Sequence, residues 1–348
     1  MLISDENKSV LVGLSGGVDS AVCCMLLLDS GYSVTGLYCV MSDEHQNGLE
    51  FAQKTADELG IGLIVRDLKK VFHEKVILPF MQNYCEGKTP NPCIICNEQV
   101  KFKALSEIAD SIGVRYISTG HYAGIEINKG IYIIRKAPDY KRDQSYMLYR
   151  LRQDILSRLL LPLAGYSKKD VRRTASENKL TVSFLPDSED ICFIPCSDHT
   201  GYLHNNGYIG KKGCFISPEG EDLGPHKGVE FYTVGQRRGL GVNLGKPVYV
   251  QRIMDNGDIC LSFNDGGYAE GVILSDYIIN PRFISLEQFE FTVKIRYAAE
   301  PVTSAITRDR DHLRLVFSTP RRAAAPGQSA VFYVDDLLAG GGIIEEFF

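Results

Sequence analysis

No apolar run in this sequence is long enough to cross a bilayer. The longest early one, Ala21 to Leu28, has eight residues, against the roughly 20 that a membrane-spanning helix requires. No basic segment precedes it, so no signal peptide is expected and a cytoplasmic chain is. Low-complexity tracts, heptad arrays and internal repeats are missing too, which excludes a disordered chain, a coiled coil and a solenoid. There is no excess of positive charge: 38 Lys and Arg stand against 43 Asp and Glu, for a net charge of −5. Bulk charge therefore does not advertise a nucleic-acid partner, which would have to be held by local basic patches. Ten cysteines in 348 residues are too sparse for a disulfide scaffold. Without a secretion signal they are expected to be reduced, and tight clusters among them to serve metal binding or catalysis. Tryptophan is absent, and nothing about function follows from that.

What is present is an ordinary globular composition, 44% hydrophobic and 23% charged, in a chain long enough for two or three domains. In the first half, strand-like and helix-like stretches alternate. Strands are expected at Val10–Leu14, Tyr32–Cys39, Gly62–Asp67 and Tyr116–Thr119. Helices are expected at Asp19–Ser30, Leu49–Leu59, Lys70–Tyr84, Lys101–Ile112 and Lys168–Asn178. Such alternation implies an α/β domain with a parallel sheet covered on both faces, whose ligands bind at the carboxyl ends of the strands. From about Gly201 the pattern changes to short β segments between Gly, Pro and Asn turns: 231–234, 247–250, 291–295, 313–317 and 329–334. These suggest small β-barrels or sandwiches. The expected division is 1–200 for the α/β domain, 201–275 for a small β-rich domain and 276–348 for a second, barrel-like one.

Between the first strand and first helix lies Ser15-Gly16-Gly17-Val18-Asp19-Ser20. The two glycines let a phosphate approach the backbone amides, and the helix start supplies N–H groups and a positive dipole end. Ser15 and Ser20 add hydroxyls. Asp19 is the odd member, and a carboxylate beside phosphates makes sense as a holder of Mg²⁺. The plain alternative for a Gly-Gly pair alone is a tight turn with a polar cap. Gly87-Lys88-Thr89 resembles the end of a Walker loop but lacks its first glycine, position 82 being Gln. Gly239-Leu240-Gly241 begins a dinucleotide fingerprint but has Leu at 244. Both are read as structural, and Gly340-Gly341-Gly342 is read as a turn.

Two cysteine clusters follow. Thr89-Pro90-Asn91-Pro92-Cys93-Ile94-Ile95-Cys96-Asn97 has its backbone fixed by two prolines just before a helix. A cysteine at a helix start gains thiolate character. Asp187-Ser188-Glu189-Asp190-Ile191-Cys192-Phe193-Ile194-Pro195-Cys196 lies far along the chain. Three readings stay open: unrelated thiols, a four-thiolate metal or iron–sulfur site, and redox sulfur chemistry in which one cysteine carries a persulfide and another resolves it.

The phosphate loop resembles that of the PP-loop ATP pyrophosphatases. With Gly13-Leu14 before that loop, Thr89–Asn97, Thr119-Gly120-His121-Tyr122, Asp143-Gln144-Ser145-Tyr146, Asp190–Ile194, Tyr232–Gly241, Arg296-Tyr297 and Pro326-Gly327-Gln328, the whole chain resembles the tRNA-specific 2-thiouridylases, the MnmA/TrmU family. The resemblance implies a HUP-like first domain and ATP-dependent 2-thiolation of the wobble uridine of tRNA. It implies ATP contacts at Gly13, Leu14, Ser15, Gly16, Gly17, Val18, Asp19 and Ser20, with Cys39 near the adenine and Gly120 also touching the nucleotide. Asn91, Pro92 and Cys93 would line the base pocket with His121 beside it. Arg142, Asp143, Gln144, Arg296, Tyr297 and Gln328 would contact tRNA. Cys96 would be the nucleophile and Cys192 the persulfide carrier, the two closing a transient disulfide.

The implied partners are the tRNAs for Lys, Glu and Gln and a persulfide donor such as a cysteine desulfurase or relay protein, with no membrane. ATP with Mg²⁺ is the implied cofactor, and an iron–sulfur cluster on Cys93, Cys96 and Cys192 is a further candidate. Two departures stand out. Many members have an acidic residue where this chain has Cys93, and the stretch after Cys39, Met41 to Asn47, is short. The competing functions are a PP-loop synthetase acting on a small metabolite, which leaves the cysteines idle, and a non-catalytic nucleotide- or cluster-binding protein.

Overall fold

The computed structural model of the chain describes residues 8–43, 46–186, 191–263, 268–322 and 324–348. Asp187, Ser188, Glu189 and Asp190, singled out above, lie outside the described residues, as do Glu44 and His45. The chain divides into two compact units. One comprises the chain to Val76, Cys93–Phe193 and Asp336–Leu338; the other comprises Ile77–Pro92, Ile194–Asp335 and Ala339–Phe348.

The first unit is built on a parallel sheet of β1 (Ser9–Gly13), β2 (Ser33–Val40), β3 (Gly62–Asp67), β4 (Tyr116–Thr119) and the two-residue β7 (Leu159–Leu160), in the order β3-β2-β1-β4-β7. Both faces are covered, as the continuous apolar character of β1 requires. Val10, Val12 and Leu14 point to one side, where they pack with Cys23, Cys24 and Leu27 of α1 (Val18–Asp29) and Ala52 and Ala56 of α2 (Gln46–Leu59). On the other side, a Cβ at Gly13 would meet Leu105, which lies in a helix over Phe102–Ser111. The other side of α1, through Val18, Ala21 and Val22, packs against Val171 and Ala175 of a later helix, Lys168–Glu177. That helix starts with a capping box between Ser167 and Asp170. The strand order changes direction at β1, so the loops after β1 and β4 flank one crevice. A hairpin of β5 (Ala123–Asn128) and β6 (Ile131–Lys136) completes the unit, with Leu337 paired to Arg135.

The helical region expected over Lys70–Tyr84 is a composite. Lys69–Phe72 and Leu78–Cys85 are α-helical, and the turn between them, His73–Ile77, is π-helical. The helix expected to begin after Asn97 starts earlier, with an α-helical turn at Pro92–Cys96. Pro92 occupies the first helical position, where its missing N–H costs nothing. A π-helical turn, Asn97–Lys101, then leads into Phe102–Ser111.

The second unit holds two β structures. In a four-stranded sheet, strands Cys214–Ile216 and Asp222–Pro225 join Tyr249–Ile253 and Ile259–Ser262 around Phe215, Tyr232, Leu240, Val250, Ile259 and Leu261. The segment 231–234 is not a strand. A 3₁₀ turn covers Val229–Phe231, and the buried Tyr232 and Val234 belong to an irregular stretch fixed by Gln236, whose side chain accepts from Thr233 N. Alternating burial arises there without a ladder. Of 247–250, only Tyr249 and Val250 are in a strand, since proline at 247 cannot donate to one.

The second β structure is a closed barrel of six strands, Tyr268–Ile279, Phe291–Lys294, Val302–Asp309, His312–Arg322, Ser329–Val334 and Leu337–Phe347, closed by pairing of the first with the last. Gly340–Gly342, read from sequence as a turn, lies inside the last strand. A Cβ at Gly340 would sit 2.2 Å from the Ile278 carbonyl oxygen, so glycine is what lets the two strands approach where their register shifts. Among the described residues no helix is long and apolar enough to cross a membrane.

Phe332 is fully buried, packed edge-on against Phe291 at 5.6 Å. Phe332→Ala should destabilise the barrel by about 3–5 kcal/mol, seen as a lower urea midpoint for the loss of β-sheet signal. An unchanged midpoint would contradict this packing.

Candidate functional site

The loop after β1 closes on itself through its serines. Ser15 N donates to Ser20 Oγ at 3.1 Å, the two hydroxyls are 3.2 Å apart, and Ser20 Oγ donates to Gly17 O at 2.9 Å. Gly17 caps α1 with no side-chain bond, which keeps the helix start accessible to a phosphate. Gly16 has φ +80°, and a Cβ there would lie 2.2 Å from the Gly48 carbonyl oxygen. Gly120, just after β4, is equally constrained: a Cβ would come within 2.9–3.0 Å of the Asp19 and Ser20 backbone. Gly13, Leu14, Val18 and these residues are thus gathered into one cradle at the carboxyl ends of β1 and β4. Cys39, next to last in β2, stands beside the neighbouring strand end.

Asp19 does not face an open ligand position. Both of its carboxylate oxygens lie 2.7 Å from Lys168 Nζ, and Oδ1 also accepts from Tyr122 OH at 2.6 Å. Lys168 stood in the sequence only as the start of an expected helix; the fold makes it the partner of the loop's carboxylate. Among the described residues no three His, Cys, Asp or Glu side chains are placed to hold a metal. A magnesium ion here would depend mainly on phosphate oxygens and water. The same observation bears on a cluster at Cys93, Cys96 and Cys192: these thiols do not form a metal-holding group, and burial pushes Cys96 towards the protonated thiol.

The thiols share one electrostatic neighbourhood. Cys96 is 5% exposed and its thiol lies 3.9 Å from the Met41 sulfur, whereas Cys93 and Cys192 reach solvent. Burial pushes the Cys96 thiol up to about 12, opposed by the charge of Lys101 and reinforced by Cys192, Cys93 and Cys39. Cys39 is pushed up to about 11 by burial, again opposed by Lys101. Cys96 and Cys192, 96 positions apart in the chain, therefore stand in one electrostatic neighbourhood. Lys101 had no distinguishing signal in the sequence.

His121 joins the same group. Its Nδ1 is 2.8 Å from Thr119 Oγ1, and burial, aided by Lys101, drives its pKa down to about 3. The next residue, Tyr122, exchanges backbone bonds with Gln144: Gln144 N donates to Tyr122 O at 2.8 Å, and Tyr122 N donates to Gln144 Oε1 at 3.0 Å. Asp143 is buried, its carboxylate accepting from Ala137 N, Ser145 N and Ser145 Oγ. It holds the loop that presents Arg142 and Gln144.

In the second unit, Gln328 Nε2 donates to Thr89 O at 2.7 Å and Thr89 N donates to Pro326 O at 2.8 Å. This joins Pro326-Gly327-Gln328 to the segment that runs through Asn91 and Pro92. Arg296 is exposed in the turn after Phe291–Lys294, and Tyr297 is half-buried against Lys294. Arg237 and Arg238 are exposed, whereas Arg172 is spent on the Ser183 and Leu185 carbonyls.

A glycine-lined loop at the carboxyl end of a parallel sheet, with thiols beside it, is the arrangement of a HUP-type nucleotide-binding domain, here joined to two β-structures. Family models agree segment by segment: "tRNA methyl transferase HUP domain" matches residues 8–196, "tRNA methyl transferase PRC-barrel domain" 205–262 and "Aminomethyltransferase beta-barrel domain" 277–344. The tRNA-specific 2-thiouridylase MnmA of Clostridioides difficile (strain 630) is 40% identical over 361 residues, covering 98% of this chain and 99% of that protein. That of Carboxydothermus hydrogenoformans is 40% identical over 357 residues, covering 97% and 98%. Among solved structures, an NMN synthetase from Francisella tularensis aligns with a TM-score of 0.38 at 17% identity, over 53% of this chain and 67% of that one. The chain belongs to the tRNA-specific 2-thiouridylase family.

The His121 shift carries a stability consequence. An unfolded histidine takes up a proton near pH 6.5, whereas folded His121 does so only at about 3. Between those values the unfolded state binds more protons, so stability falls as pH drops. Melting temperature should therefore fall more for the wild type than for His121→Gln on going from about pH 7.5 to about pH 5. Parallel pH curves would show that His121 is not held neutral.

Proposed function

We propose that this protein is an ATP-dependent tRNA-uridine 2-sulfurtransferase. The observation that carries the reading is the electrostatic interaction of both Cys96 and Cys192 with Lys101, in the unit whose sheet also ends in the glycine-lined loop after β1. Residues 1–200 would form the catalytic part, with 201–275 and 276–348 helping to hold tRNA. The location would be cytoplasmic.

The wobble uridine leaves its stack, as a base must for chemistry on its ring, and enters beside Asn91, Pro92, Cys93 and His121. ATP lies with its phosphates on Gly13–Ser20, its adenine by Cys39, and Gly120 against the loop. The uracil 2-oxygen attacks the α-phosphorus; pyrophosphate leaves and the N3 proton is lost, giving a 2-O-adenylated base. Neutral His121 can accept or donate a hydrogen bond at the base without adding charge. Holding the reactants in line and meeting the developing negative charge supply most of the acceleration. Magnesium, when bound with ATP, adds charge neutralisation at the phosphates.

Cys192 receives a sulfur atom from an external persulfide donor. That sulfur forms the new bond to carbon 2 as AMP departs with the former 2-oxygen. Cys96, as thiolate, attacks the inner sulfur of Cys192 either before or after this step. The S–S bond breaks and its electron pair stays on the transferred sulfur, which leaves as hydrosulfide in the first case and remains on the base in the second. A Cys96–Cys192 disulfide results, and an external dithiol reductant restores the pair. In the product, nitrogen 3 carries a proton again.

Recognition of tRNA would rest on Arg142, Gln144, Arg296, Tyr297 and Gln328 and on exposed basic residues such as Arg237 and Arg238. Replacing both Arg237 and Arg238 with Ala should weaken tRNA binding and lower the salt slope by roughly one to two. An unchanged slope would remove that pair from the interface.

The reaction is tested with purified protein, ATP, tRNA bearing a wobble uridine and a persulfide donor, following pyrophosphate and the nucleosides by mass. Pyrophosphate release should require tRNA. Cys192→Ser should retain that release but form no 2-thiouridine. Gly16→Ala should raise KM for ATP at least about tenfold, because its Cβ collides with the neighbouring backbone. Full thiolation by Cys192→Ser, or pyrophosphate release indifferent to tRNA, would refute the reading.

A further inference from the structure

Lys101 sits at a place that only an unusual helix turn explains. Cys93 and Cys96 are three residues apart and share a helix face. In an uninterrupted α-helix, Lys101, five residues beyond Cys96, would be rotated about 140° from it. The turn Asn97–Lys101 is instead π-helical. Closure by i→i+5 bonds brings residue i+5 back over residue i, as i+4 is in an α-helix. The wide turn therefore returns Lys101 to the face of Cys93 and Cys96.

Other elements bring further thiols to the same ammonium. Cys39 comes from the end of β2 and Cys192 from the segment beyond the Lys168–Glu177 helix, while His121 approaches from the loop after β4. Lys101 is half-buried. No carboxylate among the described residues forms a salt bridge with it; the groups that favour its charged form are Cys96, Cys93, Cys192 and Cys39. A partly buried cation without a carboxylate is costly unless another anion forms beside it, and the anions these neighbours can form are thiolates and persulfides.

We propose that Lys101 is the positioning counter-ion of the sulfur site, brought there by the π-helical turn to stabilise the Cys96 thiolate and the anionic sulfur carried on Cys192. This rests on the sulfur-transfer reading above and names the residue that makes the thiols reactive in a buried site. Burial alone drives Cys96 towards an inert thiol, and Lys101 is the charge that opposes it. Burial works against the ammonium itself, yet the thiols keep it above the ordinary lysine value, so it remains charged throughout the working range. His121, held neutral, adds no second cation.

The test compares Lys101→Met and Lys101→Arg with wild type in the full chain. Alkylation of each cysteine by a small electrophile is followed by peptide mass analysis from about pH 6 to 10, alongside tRNA-dependent pyrophosphate release and 2-thiouridine formation. Lys101→Met should slow alkylation of Cys96 and Cys192 about tenfold at neutral pH and move their profiles upward by about one unit or more. It should cut thiolation at least about a hundredfold while pyrophosphate release stays within about threefold. Lys101→Arg should restore most of both. The proposal is overturned if Lys101→Met leaves the alkylation profiles in place. It is overturned too if thiolation, pyrophosphate release and melting temperature fall together without rescue by Arg. Wild-type protein that releases no pyrophosphate with tRNA would sink the functional reading instead, while the alkylation comparison would still decide the role of Lys101.

Discussion

On the proposed reading, the conflict between burial and charge around Lys101 governs the chemistry of the site. A site that excludes water protects a reactive sulfur and an activated base from hydrolysis, but the same exclusion keeps thiols protonated. Cys39 and Cys96 show the cost, both held far above an ordinary thiol by burial. A single ammonium among four thiols is the compensating element, and it is the least visible one. It depends on one irregular helical turn, Asn97–Lys101.

The second constraint is closeness of backbones at the nucleotide loop. Gly16 and Gly120 are required for different reasons. Gly16 has a left-handed backbone and lies against Gly48, whereas Gly120 has an ordinary backbone but no space for a Cβ beside Asp19. Each fixes a strand-end loop against α1 or α2. The Asp19–Lys168 pair, supported by Tyr122, ties the same loop to the helix that packs on α1. With Lys168 side chain 13% and Asp19 33% exposed, the pair is sheltered enough to orient the loop. The cradle is therefore set before any phosphate arrives, which is what preorganised binding requires.

The parts of the molecule legible in the sequence were those in which one periodicity dominates. The apolar run of β1, closed by Gly-Gly and followed by a helix, could be little else, and alternating strands and helices fixed the parallel sheet. The thiol segments were visible from residue type and from the resemblance. Segment 231–234 was misread because burial alternates there without strand pairing; Thr233 instead bonds locally with Gln236, a turn that leaves the apolar alternation unchanged. Gly340–Gly342 was misread because glycine marks a close strand crossing as readily as a turn. Asp143 stood in a motif suggestive of contact, yet its carboxylate is consumed by three local donors. Lys101 went unnoticed because its relation to Cys96 exists only in a π-helical register.

The exposures of Cys96 and Cys192 suit the proposed sulfur delivery. A persulfide donor is itself a protein or large molecule, so the acceptor thiol must be reachable, and Cys192 is exposed. The resolving thiol has the opposite requirement. Were Cys96 equally open and ionised, it would attack the loaded Cys192 persulfide in the absence of tRNA and waste the sulfur as hydrosulfide. At 5% exposure, beside the Met41 sulfur and pushed towards the protonated thiol by burial, Cys96 would stay inert at rest. On the proposed reading, Lys101 is the group that opposes this protonation. Burial, which looks like a handicap for a nucleophile, would on this reading spare the loaded Cys192 persulfide from premature attack.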